Sequence, residues 1–339
     1  MNAVSQSDDS VPLSARGEGS GERLARVATP PSSPSPLAGR REHADYESAS
    51  VKSEGQRPFK LHLVEGTSLK RVLFSIIVGL VLSYFGILLY GMMFAERMIF
   101  LPPVTEYRDT SSTLKLKSRD GVEISAVYLP SPQAEYTILF SHGNAEDLGT
   151  LTPELEDMRA LGFSIFAYDY HGYGTSGGQA TEKNAYEDID AAYNYLTQVL
   201  KVPSDRIIAH GRSLGGAVAI DLASRRPLGG LVVESSFVSA FRVVTGYRIF
   251  PFDKFRNADK IKQVRCPVLI IHGRQDEVIP FWHGERLFGI ANDPKTNLWV
   301  DGAGHNNLKP VAGAEYVRAL KAFTDSLAQT GSATAAVAD

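Results

Sequence analysis

The chain has 339 residues, 43% of them hydrophobic and 22% charged, a globular composition with enough apolar residues for a full core. Its formal net charge of −3 leaves no basic surface of the kind that binds nucleic acid. The single cysteine, Cys266, excludes an internal disulfide and a cysteine-held zinc site.

Residues 1–66 are rich in Ser, Pro, Gly, Arg and Glu and poor in large apolar side chains. Such a stretch cannot offset the entropy of ordering, so a disordered N-terminal tail is predicted. Residues 72–95, VLFSIIVGLVLSYFGILLYGMMFA, are then uncharged at all 24 positions. About 20 apolar residues span a bilayer as a helix, so one transmembrane helix is predicted over 72–95. The run starts too far from the N-terminus, and is too long, for an ordinary signal peptide. Within about 20 residues of it, Lys52, Arg57, Lys60, Lys70 and Arg71 precede it and Arg97, Arg108 and Lys115 follow. Five positive charges against three predict a single-pass protein with its N-terminus in the cytoplasm.

Residues 113–117 and 122–129 alternate apolar and polar about Asp120-Gly121, the signature of an antiparallel hairpin. Short apolar runs follow at 136–141, 164–168, 206–210, 230–234, 268–272 and 296–300. Amphipathic helical stretches lie between them, among them 183–200 and 311–327. Strands of near-continuous Val, Ile, Leu and Phe are buried on both faces, as in a parallel sheet covered by helices. One doubly wound α/β domain over residues 98–328 is therefore predicted, with a disordered tail at 329–339. Residues 236–257, aromatic and basic, fit either a small cap over the carboxyl edge of the sheet or an ordinary crossover helix.

In such a sheet the loops beyond the strands' carboxyl ends form the site. Gly211-Arg212-Ser213-Leu214-Gly215 stands where a buried strand turns into a helix of small residues, with the G-x-S-x-G spacing of a nucleophile elbow. Glycine two residues to either side removes Cβ atoms that would collide in so sharp a turn. A serine hydroxyl needs a base, and the base an orienter. In the chain order serine, acid, histidine, Asp276 follows the strand of PVLIIHG and His305 follows the last strand, in LWVDGAGHNNL. Glu277 and Asp301 are the rival acids. His142, His210 and His272 end strands and are expected to pack there, whereas His171 and His283 are expected at the surface. The backbone N–H of Leu214 and that of Asn144, with Ala145 the alternative, are the expected oxyanion donors. The G-x-G-x-x-G of residues 172–177 does not open a helix directly and no acidic residue ends the next strand, so it is expected to form a glycine-rich turn bordering the cleft, not a dinucleotide site.

Together LFSHGNAEDLG, FAYDYHGYGTSGG, HGRSLGG, DLASR, PVLIIHGRQDEVIPFWHG and WVDGAGHNNL resemble the α/β-hydrolase superfamily, more closely its membrane-associated branch of bud-emergence-type hydrolases and acyl-protein thioesterases that remove palmitate. The resemblance covers roughly residues 98–325. It implies the α/β-hydrolase fold and a serine hydrolase with Ser213, Asp276 and His305 as the triad. It also implies an acyl ester or thioester substrate, carried by a lipidated protein or a lipid, and neither metal nor organic cofactor. The animal depalmitoylases of this branch attach through a lipidated N-terminal cysteine cluster. This chain has no cysteine before Cys266 and offers an apolar helix instead. A peptidase of the same fold and a non-catalytic scaffold are the alternative expectations.

Overall fold

The computed structural model describes residues 68–337, with side chains described to residue 329. The tail predicted over residues 1–66 lies outside the described residues. Helix α1, Leu69–Ile99, contains the uncharged run and extends beyond it at both ends. Phe100 leaves the helix with extended backbone, and Pro102 and Pro103, which cannot continue a helix, follow. Through Ile87 the helix is exposed; its last turns pack on the domain and bury Ala95. Among the described residues it is the one helix long and apolar enough to cross a membrane, judged by length and composition.

The eight expected strands form one sheet: β1 Leu114–Lys117, β2 Glu123–Leu129, β3 Thr137–Ser141, β4 Ser164–Tyr168, β5 Ile207–Arg212, β6 Gly230–Glu234, β7 Val268–Gly273 and β8 Lys295–Val300. Their order is β1-β2-β4-β3-β5-β6-β7-β8. The hairpin strand β2 pairs antiparallel with both β1 and β4, and every later pairing is parallel. In β3 the period of two sends Leu139 into the core on one face and Ile138 and Phe140 into the core on the other. Helices α3 (Glu182–Asn194) and α4 (Leu214–Arg225) cover the first face. The second is covered by α2 (Leu148–Ala160) and by α9 (Ala314–Val337), which packs Leu320, Phe323 and Leu327.

Three boundaries differ from the sequence reading. The helix expected over 183–200 loosens into a π-helical turn at Tyr195–Val199 after α3. The helix expected over 311–327 breaks at Gly313, whose φ of 50° is a conformation that glycine adopts at little cost, so α8 (Leu308–Ala312) precedes α9. Helix α9 then runs past residue 328, where the domain was expected to end, through a stretch holding the good helix formers Ala333, Ala335 and Ala336. Residues 236–257 do not form an ordinary crossover helix; Phe237, Ala240, Val243 and Val244 line the cleft over Ser213, as the small-cap alternative expected. They contain the six-residue helix α5 (Ala240–Thr245) and an irregular return to α6 (Asn257–Lys260).

His171 and His283, expected at the surface, are both buried. His171 Nδ1 lies 2.6 Å from an Asp188 carboxylate oxygen. His283 stands on α7 (Trp282–Ile290), on the same face as buried Leu287 one turn on. Its Nδ1 accepts the Val238 N–H at 3.2 Å, so this nitrogen is unprotonated. Burial first, with His272 and Arg242 adding to it, pushes its pKa down to about 4 from 6.5. As pH falls below 6.5 the unfolded chain takes up a proton that the folded chain refuses until about pH 4. Stability is therefore expected to drop across that window, by up to about 3 kcal/mol from this group. Melting temperatures at pH 7 and pH 5 test this: in His283→Asn, whose amide oxygen can still accept from Val238, the acid-side drop should shrink.

Candidate active site

Strand β5 delivers Ser213 at the carboxyl edge of the sheet. Its φ of 54° and ψ of −116° lie in a region that costs a non-glycine residue about 1–3 kcal/mol. Neighbouring bonds hold the turn: Ser213 N–H donates to the Glu234 carbonyl at 2.8 Å, and the Ser236 hydroxyl donates to the Ser213 carbonyl at 2.9 Å. A Cβ on Gly211 would stand 2.1 Å from the Gly215 carbonyl oxygen, and one on Gly215 would stand 1.9 Å from that of Ser141. Both obstacles are backbone and cannot rotate away. Gly215→Ala is accordingly expected to displace either the elbow or the loop after β3, with a loss of folding stability above about 2 kcal/mol. Denaturant titration of this variant beside wild type measures it.

The structure brings the three expected side chains together. His305 Nε2 is 3.2 Å from Ser213 Oγ, and His305 Nδ1 is 2.8 Å from Asp276 Oδ2. Asp276, buried, also accepts the N–H groups of Val278 and Ile279 on Oδ1, at 3.0 and 2.7 Å. Burial works against its ionisation. The donors around it, His272, His305 and the Ile279 N–H, outweigh burial and hold the carboxyl well below the usual carboxylate range. An ionised carboxylate only accepts, so the His305 proton belongs on Nδ1, and Nε2 is free to accept from Ser213. The rival acids stand elsewhere. Glu277 accepts the backbone N–H of His305 at 3.2 Å, and Asp301 is an exposed partner of Arg274.

The N–H of Leu214, at the start of α4, and those of Asn144 and Ala145 have no acceptor among the described residues. The loop carrying the latter two is fixed on several sides. Gly143 N–H donates to Glu146 Oε2 at 2.7 Å, and the Tyr170 hydroxyl donates to the His142 carbonyl at 2.9 Å. The side-chain oxygen of Asn144 accepts from the Leu101 N–H at 2.9 Å and from the Tyr173 hydroxyl at 2.7 Å. The turn at 172–177 lies beside Tyr107 and Asp169, and its Tyr173 reaches Asn144 at the edge of the cleft.

A cleft of about 820 Å³ opens over Ser213 and His305. One wall is apolar, with Met98 and Ile99 from the end of α1 and Phe237, Val243, Val244 and Ile279 from the domain. The charged part of the lining is Arg212, Glu146 and Glu154. Arg212 pairs with Glu146 and, at 2.8 Å, with Glu154, which also binds Lys309. Below it, Glu234 is fully covered and accepts from the Tyr316 hydroxyl at 2.7 Å, with His210 Nε2 at 3.3 Å. Burial alone would push the Glu234 carboxyl up, but the charge of Lys309 and the contact with His210 hold it well below the usual range. Neither part of the lining was legible in the sequence, since Arg212 and Glu146 meet across 66 positions. Among the described residues no group of His, Cys, Asp and Glu is arranged to hold a metal ion.

A parallel sheet entered by an antiparallel strand, with a strained serine at the strand-to-helix turn beside a histidine and an acid, defines an α/β-hydrolase-fold protein. Comparison with known proteins agrees. Residues 132–250 match the family model Hydrolase_4, described as serine aminopeptidase, S33. The chain is 39% identical over 220 residues to alpha/beta hydrolase domain-containing protein 17B of Homo sapiens, covering 64% of this chain and 76% of that one. To alpha/beta hydrolase domain-containing protein aho-3 of Caenorhabditis elegans it is 42% identical over 204 residues, 58% of this chain and 59% of that one. The Pyrococcus furiosus esterase Pf2001 superposes with a TM-score of 0.57 at 19% identity, over 67% of this chain and 99% of that one, which shows a shared fold. The chain belongs to the α/β-hydrolase superfamily, in the branch of the domain-containing 17 proteins.

Proposed function

We propose that this hydrolase is a membrane-anchored serine esterase or thioesterase, with Ser213 as nucleophile, His305 as base and Asp276 as the group that orients it. The observation that carries the reading is the contact chain Ser213 Oγ to His305 Nε2 to Asp276, 3.2 Å and then 2.8 Å, on a strained elbow that opens into the cleft. Ser213 Oγ attacks the acyl carbonyl and its proton passes to His305 Nε2. The carbonyl oxygen, now negative, takes the N–H groups of Leu214 and Asn144, helped by the start of α4. As the intermediate collapses, Nε2 returns the proton to the leaving thiolate or alkoxide, and an acyl-serine remains. Water, deprotonated by His305, then releases the acid and restores Ser213. Helix α1 is the anchor.

The apolar wall supports an acyl chain, and the charged part of the lining supports a polar leaving group such as a peptide. A lipidated protein, the substrate class implied by the sequence resemblance, would fill both. The aminopeptidase description of the family model favours a second reading. An aminopeptidase needs a carboxylate free to receive the substrate's ammonium group, and the two glutamates of the cleft, Glu146 and Glu154, are already paired with Arg212. The ester reading is the stronger. The full chain should react with a fluorophosphonate at Ser213 and should prefer acyl esters or thioesters to amides in a graded panel. An unlabelled, folded wild type would make the protein a scaffold, and a preference for amides would make it a peptidase.

A further inference from the structure

The segment from Phe241 to Phe252 runs along α1 at a depth that the sequence does not disclose. The Tyr84 hydroxyl donates to the Ile249 carbonyl at 3.2 Å, and the Phe252 ring reaches within 4.0 Å of the Gly91 Cβ position. Lys254, at the segment's end, pairs with Glu96 at 2.6 Å, just past the uncharged run. Tyr84 lies 11 residues before Ala95, the last residue of that run, so the segment descends beside the helix by about 16 Å. The uncharged run is about 36 Å long and a hydrocarbon core about 30 Å thick. Whichever end of the run the core is aligned with, Tyr84 falls inside it, and with it Ile249.

The chemistry of the segment suits that depth. Val244 and Tyr247 are 86% and 80% exposed, and Ile249 is exposed beside them. Phe241 packs edge-on against Phe250 and Phe252. Backbone groups are costly in lipid unless bonded internally. The N–H groups of Tyr247, Arg248, Ile249 and Phe250 have no acceptor among the described residues, whereas two of the segment's irregular carbonyls are served. Here the Thr245 hydroxyl lies 2.9 Å from the Phe241 carbonyl and 2.7 Å from that of Tyr247, and Tyr84 serves the Ile249 carbonyl. Arg242 is half-buried and lines a small hollow with Asp253 and Asp259, whereas Arg248 is exposed beside Ile249, and its long side chain can lift its charge towards the interface.

We infer that residues 241–252 are a second membrane contact: they dip into the bilayer beside α1, and the acyl chains of the lipids cover them. Val243 and Val244 belong both to this segment and to the apolar wall of the cleft. The mouth over Ser213 thus opens towards lipid, and an acyl chain enters from the bilayer without crossing water. The inference rests on the reading of α1 as a membrane span and of Ser213 as the nucleophile.

Depth can be measured without catalysis. Nitroxide labels are placed through Tyr247→Cys and, separately, Leu80→Cys in the full chain carrying Cys266→Ser, in vesicles of phosphatidylcholine with a minor share of phosphatidylglycerol. Both labels should collide with oxygen in preference to a water-soluble nickel complex, the one at 247 at a shallower depth. A lipid-buried label at 80 with a water-exposed label at 247 overturns the inference and leaves the span standing. A water-exposed label at 80 overturns both. In a second measurement, Tyr247→Asp with Ile249→Asp should leave turnover of a soluble short-chain p-nitrophenyl ester unchanged and lower turnover of a vesicle-borne long-chain acyl thioester by on the order of tenfold. Equal loss on both substrates, or no loss on either, overturns the route from the bilayer. Failure of wild type on both overturns the hydrolase reading, while the depth result stands on its own.

Discussion

Replacing Ser213 with alanine is expected to lower kcat by on the order of 10⁵–10⁶ and to abolish fluorophosphonate labelling, with the fold retained. Among the described residues the hydroxyl has one hydrogen-bond partner, His305, so its removal leaves no buried polar group stranded except an imidazole nitrogen that faces the cleft. The backbone donors of Leu214 and Asn144 survive the substitution. A residual rate above the uncatalysed reaction is therefore expected, because those donors still stabilise charge. Steady-state kinetics on a p-nitrophenyl ester, with circular dichroism as the check on folding, measures the effect. A variant that keeps its rate would remove Ser213 from the chemistry.

The second large effect is expected at Asp276. In Asp276→Asn the amide oxygen can keep the bonds from Val278 and Ile279, which fixes the side chain's orientation and turns the NH₂ group towards His305. His305 Nδ1 must then accept, and its proton moves to Nε2, where it faces Ser213 as a donor. The geometry is kept and the base is lost. A fall in kcat of about 10⁴ is expected, with KM little changed. If Glu277 were the true orienter, Asp276→Asn would cost far less than Glu277→Gln. Measuring both variants decides between the two acids.

What the sequence disclosed was whatever depends on local pattern. The strands are near-continuous apolar runs bounded by turn residues, and their observed limits lie within two residues of those expected. The elbow was legible because its glycines answer to a steric need inside five residues. What remained hidden depends on partners distant in the chain. His171 reads as a surface residue until Asp188 is seen beneath it, and Arg212 reads as a spacer until Glu146 and Glu154 reach it. His283 did leave a trace, since it stands four residues before Leu287 on one helical face, but its polar neighbours outweighed that spacing. The path of residues 241–252 has no local signature at all, because it is set by a helix about 160 positions earlier.

The bond from the Leu101 N–H to the Asn144 side chain joins the first residues beyond α1 to the loop whose Asn144 N–H is the proposed oxyanion donor. Phe100, next to it, packs against Tyr173 and Phe255 inside the domain. On the proposed mechanism the connector braces the oxyanion loop as well as joining α1 to the domain. A soluble fragment cut to begin at Val104 should turn over even a small ester slowly, and adding back residues 98–103 should restore the rate.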